Sequence, residues 1–389
     1  MKTKPMMRFS LLVISIFLMS HLAIAPAIPK LYEYYHARNA SIGLASVESL
    51  VTVPAMMITI TVLLSNLVVS WLGTKKTVLL GLGLIGLFGI LPTFLTSFPL
   101  IFLSRLLLGV GIGLYNSLSI SLISDFYEGE MRARMIGFRT AFLNIGKALT
   151  TFIVGSILLV GVHYTFLVYL LAFPVLILFY LYVPESHHPQ ATVKESLVWN
   201  QKVGLVVALT FLVGISYIGA TIKIPSLLVT KYGFSTTLSS QLLTILALSG
   251  IVTGCFFGSI LKKLGNSTLF VVLISMGLGN FLFTLPVHFP LFVLASILVG
   301  MSFVGIMSFN FYYISKQFPQ EQVHFVTSLA ITGGNIGVVL TPIFLTKLLE
   351  KFQIETFITP FYMSSGLMVL ACLLAYALFR SKNNIHSQP

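Results

Sequence analysis

Lys147 stands in an otherwise apolar stretch, with Asn144 three residues before it, Thr151 four after it and Thr140 seven before it along the chain. That is helical spacing, so the four side chains share one polar stripe. In a membrane helix starting at residue 136, Lys147 lies about 18 Å in, near the bilayer midplane. An ammonium left in lipid there costs about 3 kcal/mol on insertion scales, so it must face a cavity or a partner. The functional reading is electrostatic capture of a carboxylate or phosphate; the alternative is a lysine hydrogen-bonded between helices as structural glue.

Two more basic groups fall inside apolar runs. Arg105, about five residues into its run, shares a helix face with Gly109, Ile112 and Asn116. It reads either as a buried functional cation or as an arginine snorkelling to the interface. His21 lies about twelve residues into the first apolar run, and an imidazole titrates near neutral pH, so it is either a proton carrier or a packed interhelical donor. None of the 10 acids falls at the centre of an apolar run. Glu48 comes nearest, on a face with Thr52 and Thr59, as a coupling carboxylate or a solvated interfacial acid. The second half offers uncharged handles in Tyr217, Thr221, Asn310, Tyr313 and Asn335, for which packing is the alternative to binding. A cavity whose embedded charges are basic suits an anionic or neutral substrate, since a lipophilic cation needs a negative partner. Cys255 and Cys372 stand alone, and His187-His188 reads as part of a solvated loop. There is no metal spacing, no glycine-rich phosphate loop and no expected cofactor.

The elements that must position these groups follow from composition. Of 389 residues, 57% are hydrophobic and 8% charged, against about 25% charged in a soluble domain. With a mean hydropathy of +0.98, this excludes a soluble enzyme and indicates an all-α integral membrane protein. Twelve transmembrane helices are expected, near residues 9–28, 46–69, 77–95, 100–123, 136–160, 163–183, 203–227, 237–261, 268–286, 290–314, 325–346 and 357–379. The first run could pass for a signal peptide, with Ala23-Ile24-Ala25 as its cleavage site, but Pro26 would follow the cut and the run is long enough to span. It is read as a retained helix.

With the N-terminus inside, fifteen of the 23 Lys and Arg residues fall on the cytoplasmic side, Arg139 among them. Six are assigned to the outer side, Lys223 near the end of its run among them, and Arg105 and Lys147 are counted inside spans. Both termini are therefore expected in the cytoplasm of a multi-pass plasma-membrane protein. The bias accounts for most of the basic surplus without a nucleic-acid partner; membrane lipids are the expected surroundings and the chain is expected to act as a monomer.

A shift of 191 residues aligns Asn144-Ile145-Gly146 with Asn335-Ile336-Gly337 and Leu149-Thr150 with Leu340-Thr341, and a shift of 192 brings Gly73 onto Gly265. The expected organisation is an N-terminal six-helix bundle (1–184), a cytoplasmic linker (185–202) and a C-terminal six-helix bundle (203–389). Parallel half-repeats place a binding site near the midplane between the halves.

Three motifs carry a resemblance that covers nearly the whole chain. They are Pro26-Ala27-Ile28-Pro29, the run Arg105-x-x-x-Gly109-x-Gly111, and the loop from Asp125 through Glu128 and Glu130 to Arg132 and Arg134. With the repeat, they resemble the major facilitator superfamily, and within it the twelve-span drug:proton antiporter-like group. The resemblance implies two six-helix pseudo-repeats, protons as coupling ion, a small-molecule substrate, and a role for Arg105 in proton transfer or substrate binding. It also implies gating loops at Gly73, Lys75, Asp125, Arg132 and Gly265. Two departures bear on mechanism. The loop after the second span lacks the family's acid, and where exporters of this family carry a Gly-Pro pair in the fifth span this chain has Gly146-Lys147. The expected function is secondary active transport by alternating access, as proton-coupled export of an amphipathic anionic or neutral molecule. An uptake symporter for an organic anion and a flippase for an anionic lipid-linked substrate remain open; a membrane enzyme would need a clustered His/Asp/Glu site, which the sequence lacks.

Overall fold

The computed structural model describes residues 5–185, 199–286 and 288–380, and every regular element among them is helical. Ten helices are long and apolar enough to cross a bilayer: Leu44–Leu72, Thr74–Thr93, Phe98–Phe126, Gly129–Ile157, Val162–Tyr182, Gln201–Lys231, Thr236–Leu264, Phe289–Gln317, Glu321–Lys351 and Thr359–Arg380. A pair bent by 45°, Pro5–Phe17 and Ser20–His36, forms a further broken span at the N-terminus. Ser267–Leu282 stands where the ninth span was expected, but its 16 residues reach only about 24 Å. Twelve full-length spans were expected; ten are full-length, one is broken and one is short. They are called spans one to twelve in chain order, with Ser267–Leu282 as span nine. Of the expected linker, 186–198 lies outside the described residues, and so does the His187-His188 pair.

Span one is not the continuous helix expected from its length. It passes through 3-10 turns at Ile14–Phe17, Ser20–Leu22 and Ala25–Ala27 before becoming α-helical again at Ile28. Pro26 and Pro29 each lack an N–H, which removes two rungs of an α-helical ladder. Irregular backbone at membrane depth persists only inside protein, and Ser10–Phe17 is buried apart from the half-buried Ile16. Gly146 of span five is the contact that admits it, since a Cβ there would run into the backbone of Ile16.

Packing follows a pattern that repeats with an offset of six spans. Span two packs on four, three on four, three on six and one on five; correspondingly eight packs on ten, nine on ten, nine on twelve and seven on eleven. Glycines set the close approaches: a Cβ at Gly111 would lie 2.7 Å from the Gly81 carbonyl oxygen, joining spans three and four. Across the two sets, span five packs along span eight and span two along span eleven. The turns after spans two and eight use Gly73 at φ 82° and Gly265 at φ 52°, a left-handed region that favours glycine. The end of the bundle that carries the chain termini is called the terminal end, and the opposite one the far end.

Candidate functional site

Lys147 is fully buried in span five, and its Nζ donates to Tyr217 Oη of span seven at 2.5 Å. The same ammonium lies 4.4 Å from the centroid of that ring, and the ring stacks on Phe303 of span ten at 3.7 Å and 9°. Three spans therefore meet on this lysine. Of the stripe expected around it, Asn144 is buried and donates to the Thr140 carbonyl, while Thr140 itself is exposed. Thr151 accepts Ser240 of span eight on its backbone carbonyl at 2.7 Å. No carboxylate is paired with Lys147 among the described residues.

Asn335 donates to Thr59 Oγ1 of span two at 2.7 Å. Adding the repeat shift of 191 to Thr59 gives Gly250, and Asn144 Oδ1 lies 3.5 Å from where a Cβ of Gly250 would be. The two repeat-related asparagines thus face repeat-related positions in the opposite half. One contact is a hydrogen bond, and in the other the amide oxygen meets a glycine.

Arg105 is fully buried as well, but it is occupied. Its Nε donates to the Leu50 carbonyl, Nη1 to Tyr169 Oη and Nη2 to the His21 carbonyl, each at 2.8 Å. Tyr169 in turn donates to the Ser20 carbonyl at 2.7 Å, and Tyr115 to that of Ile14 at 3.1 Å. The Ile14, Ser20 and His21 carbonyls are ones that the broken first span leaves without α-helical partners, and spans four and six supply the donors. The His21 ring keeps 8% exposure, and its Nδ1 is buried without a partner. Asn310, 1% exposed, likewise has no partner for its Nδ2.

Toward the far end, Glu48 and Lys223 are both fully buried, 2.8 Å apart, and joined across spans two and seven. The ammonium lies off the direction a hydrogen bond would take, so the contact is a charge pair more than a directed bond. Thr346 of span eleven donates to the same carboxylate. Lys223 was expected among the outer charges, and the structure corrects this. The expected end of span seven at residue 227 put Lys223 in its last turn, whereas the helix continues as a π-turn to Lys231 after Pro225. A second π-turn, Ile343–Lys347, carries Thr346 after Pro342. Arg139, also counted outside the spans, reaches inward: its Nε donates to Ser119 Oγ at 2.8 Å and Nη2 to Asn116 Oδ1 at 3.2 Å. Asn116 therefore serves Arg139, not the Arg105 whose helix face it shares.

At the terminal end, the acid missing after span two comes from elsewhere in the chain. Glu185, just past span six, accepts the Lys75 backbone N–H at 3.1 Å and lies against Gly73. A carboxylate at a helix N-terminus complements the helix dipole. Asp125 closes span four, and Arg132 stands exposed on the first turn of span five. Lys223, Thr346, Phe303, Arg139 and Glu185 were not singled out from the sequence for these roles. Only the proline before each π-turn could have pointed to the first two.

The sequence pattern of the Major Facilitator Superfamily matches residues 10–342 and, in a second match, 267–388. No curated protein matches the chain in sequence. Among solved structures, the nucleoside transporter NupG superposes with a TM-score of 0.79 at 15% identity, covering 96% of this chain and 100% of that one. A peptide transporter, POT, gives 0.77 at 16% over 96% and 94%. A D-xylose–proton symporter gives 0.74 at 16% over 95% and 96%. At such identities the likeness is one of fold.

Proposed function

The chain belongs to the Major Facilitator Superfamily, and from that premise we propose that it is a proton-coupled secondary transporter of small anionic molecules working by alternating access. The observation that carries this is Lys147: an amine nitrogen at mid-span, fully buried, bonded to a neutral phenol and paired with no carboxylate among the described residues. Glu48, the acid buried with it inside the bundle, is committed to Lys223. Once protonated, the amine is a buried charge without a counter-ion, which is costly, and an anionic substrate arriving between the halves supplies one. Asn144 and His21 from one half, with Tyr217, Asn310 and Asn335 from the other, are the polar groups disposed to bind the rest of the substrate.

In this reading residues 1–184 and 203–389 rock against each other about that site. Glu48–Lys223–Thr346 and the Ser240–Thr151 contact close the far end. Arg105 acts as a strut for the broken first span. The loops at Gly73–Lys75, Asp125–Arg132 and Gly265 serve the terminal end, which lies in the cytoplasm of a plasma-membrane monomer if the basic bias sets orientation.

Counterflow in proteoliposomes tests the proposal, using labelled carboxylates, phosphate esters, neutral amphiphiles and permanently cationic dyes. Carboxylates or phosphates should exchange through the parent and fail to exchange through Lys147→Met protein that keeps its thermal stability. Strong exchange of a cationic dye that survives Lys147→Met would overturn it.

A further inference from the structure

The chemical type of Lys147 fixes how proton and substrate are linked. A carboxylate loses its charge when it takes a proton, so a proton and a cation compete for it. An amine gains charge, so a proton and an anion favour one another's binding, and by reciprocity each tightens the other. We propose that one proton and one substrate anion occupy Lys147 together and cross in the same direction, as an electroneutral one-to-one symport. The inference rests on the reading above that the substrate is an anion.

Among the groups around Lys147 only His21 could also gain charge with a proton, and the Lys147→Arg variant below separates the two. Span seven presents the Tyr217 phenol, and span ten faces it through Phe303, stacked on that phenol. Span eight presents the hydroxyls of Ser240 and Thr244 against the next turn, at Thr151 and Ala148. Span one brings His21, which lies within electrostatic reach of both Lys147 and Arg105 of span four. None of these is a carboxylate. The guanidinium of Arg105 is engaged by three protein oxygens. Lys223 already has Glu48, so a proton added to that pair would leave a lone buried ammonium, and an anion added to it would leave one carboxylate unpaired.

Four occupancies of Lys147 then sort by net charge. The neutral amine alone, and the ammonium with its anion, add no net charge to the buried site. The ammonium alone, or the anion beside a neutral amine, adds one unit and meets the penalty for an uncompensated buried charge. Only the first two can be enclosed between the halves, and that restriction is the coupling. In the association, –NH2, H+ and the anion give –NH3+ paired with the anion; no covalent bond is made or broken beyond the N–H. Exchange of the anion against a proton would require enclosing the two penalised states.

The test counts protons on the purified, lipid-reconstituted protein in weak buffer, with acetate, lactate, benzoate, methanesulfonate and benzenesulfonate as probes. Thermal shift reports binding and a pH dye reports protons. The sulfonates hold no proton of their own, so any proton taken up belongs to the protein. Expected are uptake of about one proton per anion bound and, on the alkaline side, affinity weakening toward tenfold per pH unit, as one linked proton requires. Lys147→Arg should bind anions without proton uptake or pH dependence, and should exchange them without net transport. Anion binding by the parent with protons released, or with none moved, would overturn the symport while leaving the anion reading standing. If no carboxylate or sulfonate binds at any pH, the anion reading itself fails.

Discussion

Removing one partner of the Glu48–Lys223 pair should damage the protein more than removing both. At 2.8 Å, the Coulomb attraction is about 6 kcal/mol at an effective dielectric of about 20, set against a desolvation penalty of several kcal/mol for each ion. The pair therefore nets little against a neutral isostere, whereas a lone buried charge costs about 3–5 kcal/mol. Glu48→Gln strands Lys223, and Lys223→Met strands Glu48 together with the Thr346 hydroxyl that donates to it. Each single variant should lose about 3–5 kcal/mol, a fall in Tm of about 4–6 °C for a chain of this length. The double variant should stay within about 1 kcal/mol of the parent. Thermal unfolding of the four purified proteins closes the double-mutant cycle. Single variants as stable as the parent, or a double variant no better than the worse single, would refute the reasoning that each buried charge offsets the other's desolvation.

Arg105→Lys keeps the charge but puts one nitrogen in place of the three that reach three separate acceptors, so stability should drop by about 1–3 kcal/mol for each acceptor left unmet. The pH profile of transport in the surviving folded protein should be unchanged; a shifted profile at full stability would return Arg105 to proton transfer. At the seam of spans five and eight, Gly155→Ala would place a methyl inside Ser240, an overpacking worth about 1–3 kcal/mol. Adding Ser240→Gly should recover most of the loss in Tm. In the loop before span twelve, burial raises the Glu355 pKa, but the Lys231 ammonium and the Ile358 and Thr359 N–H groups outweigh it, so the group sits below its ordinary 4.5. A depressed acid stabilises the fold above that value, and the contribution is lost as pH falls through the folded-state pKa. Glu355→Gln should therefore flatten the fall in Tm below about pH 4.5, and a slope equal to the parent's would contradict the assignment.

Much of this was legible in residues 1–389 because lipid leaves few options: apolar runs of about 20 residues must be helices, and the repeat gives their arrangement. The stripe through Asn144 and Lys147 was legible for the same reason, since helical periodicity fixes which residues share a face. What escaped depends on where helices end and on what lies opposite. Lys223 looked interfacial because it lies within a turn of the expected end at residue 227, but the helix continued through a π-turn and carried the lysine inward. The break in span one falls between Phe17 and Ser20, ahead of Pro26 and Pro29, and its partners Arg105, Tyr169 and Tyr115 lie 84 to 149 residues away from the carbonyls they serve. Glu185 could not be found from the loop it completes, because it comes from the end of span six.

The most direct test of the central claim, that Lys147 carries the transported anion, is accumulation of a labelled carboxylate in proteoliposomes under two separately imposed forces. With voltage clamped at zero and the acceptor side alkaline, the parent should accumulate the anion toward the pH ratio. At equal pH, an imposed voltage should drive nothing, and Lys147→Met should be inert under both forces. Accumulation that follows voltage, or that persists in Lys147→Met, would contradict the account.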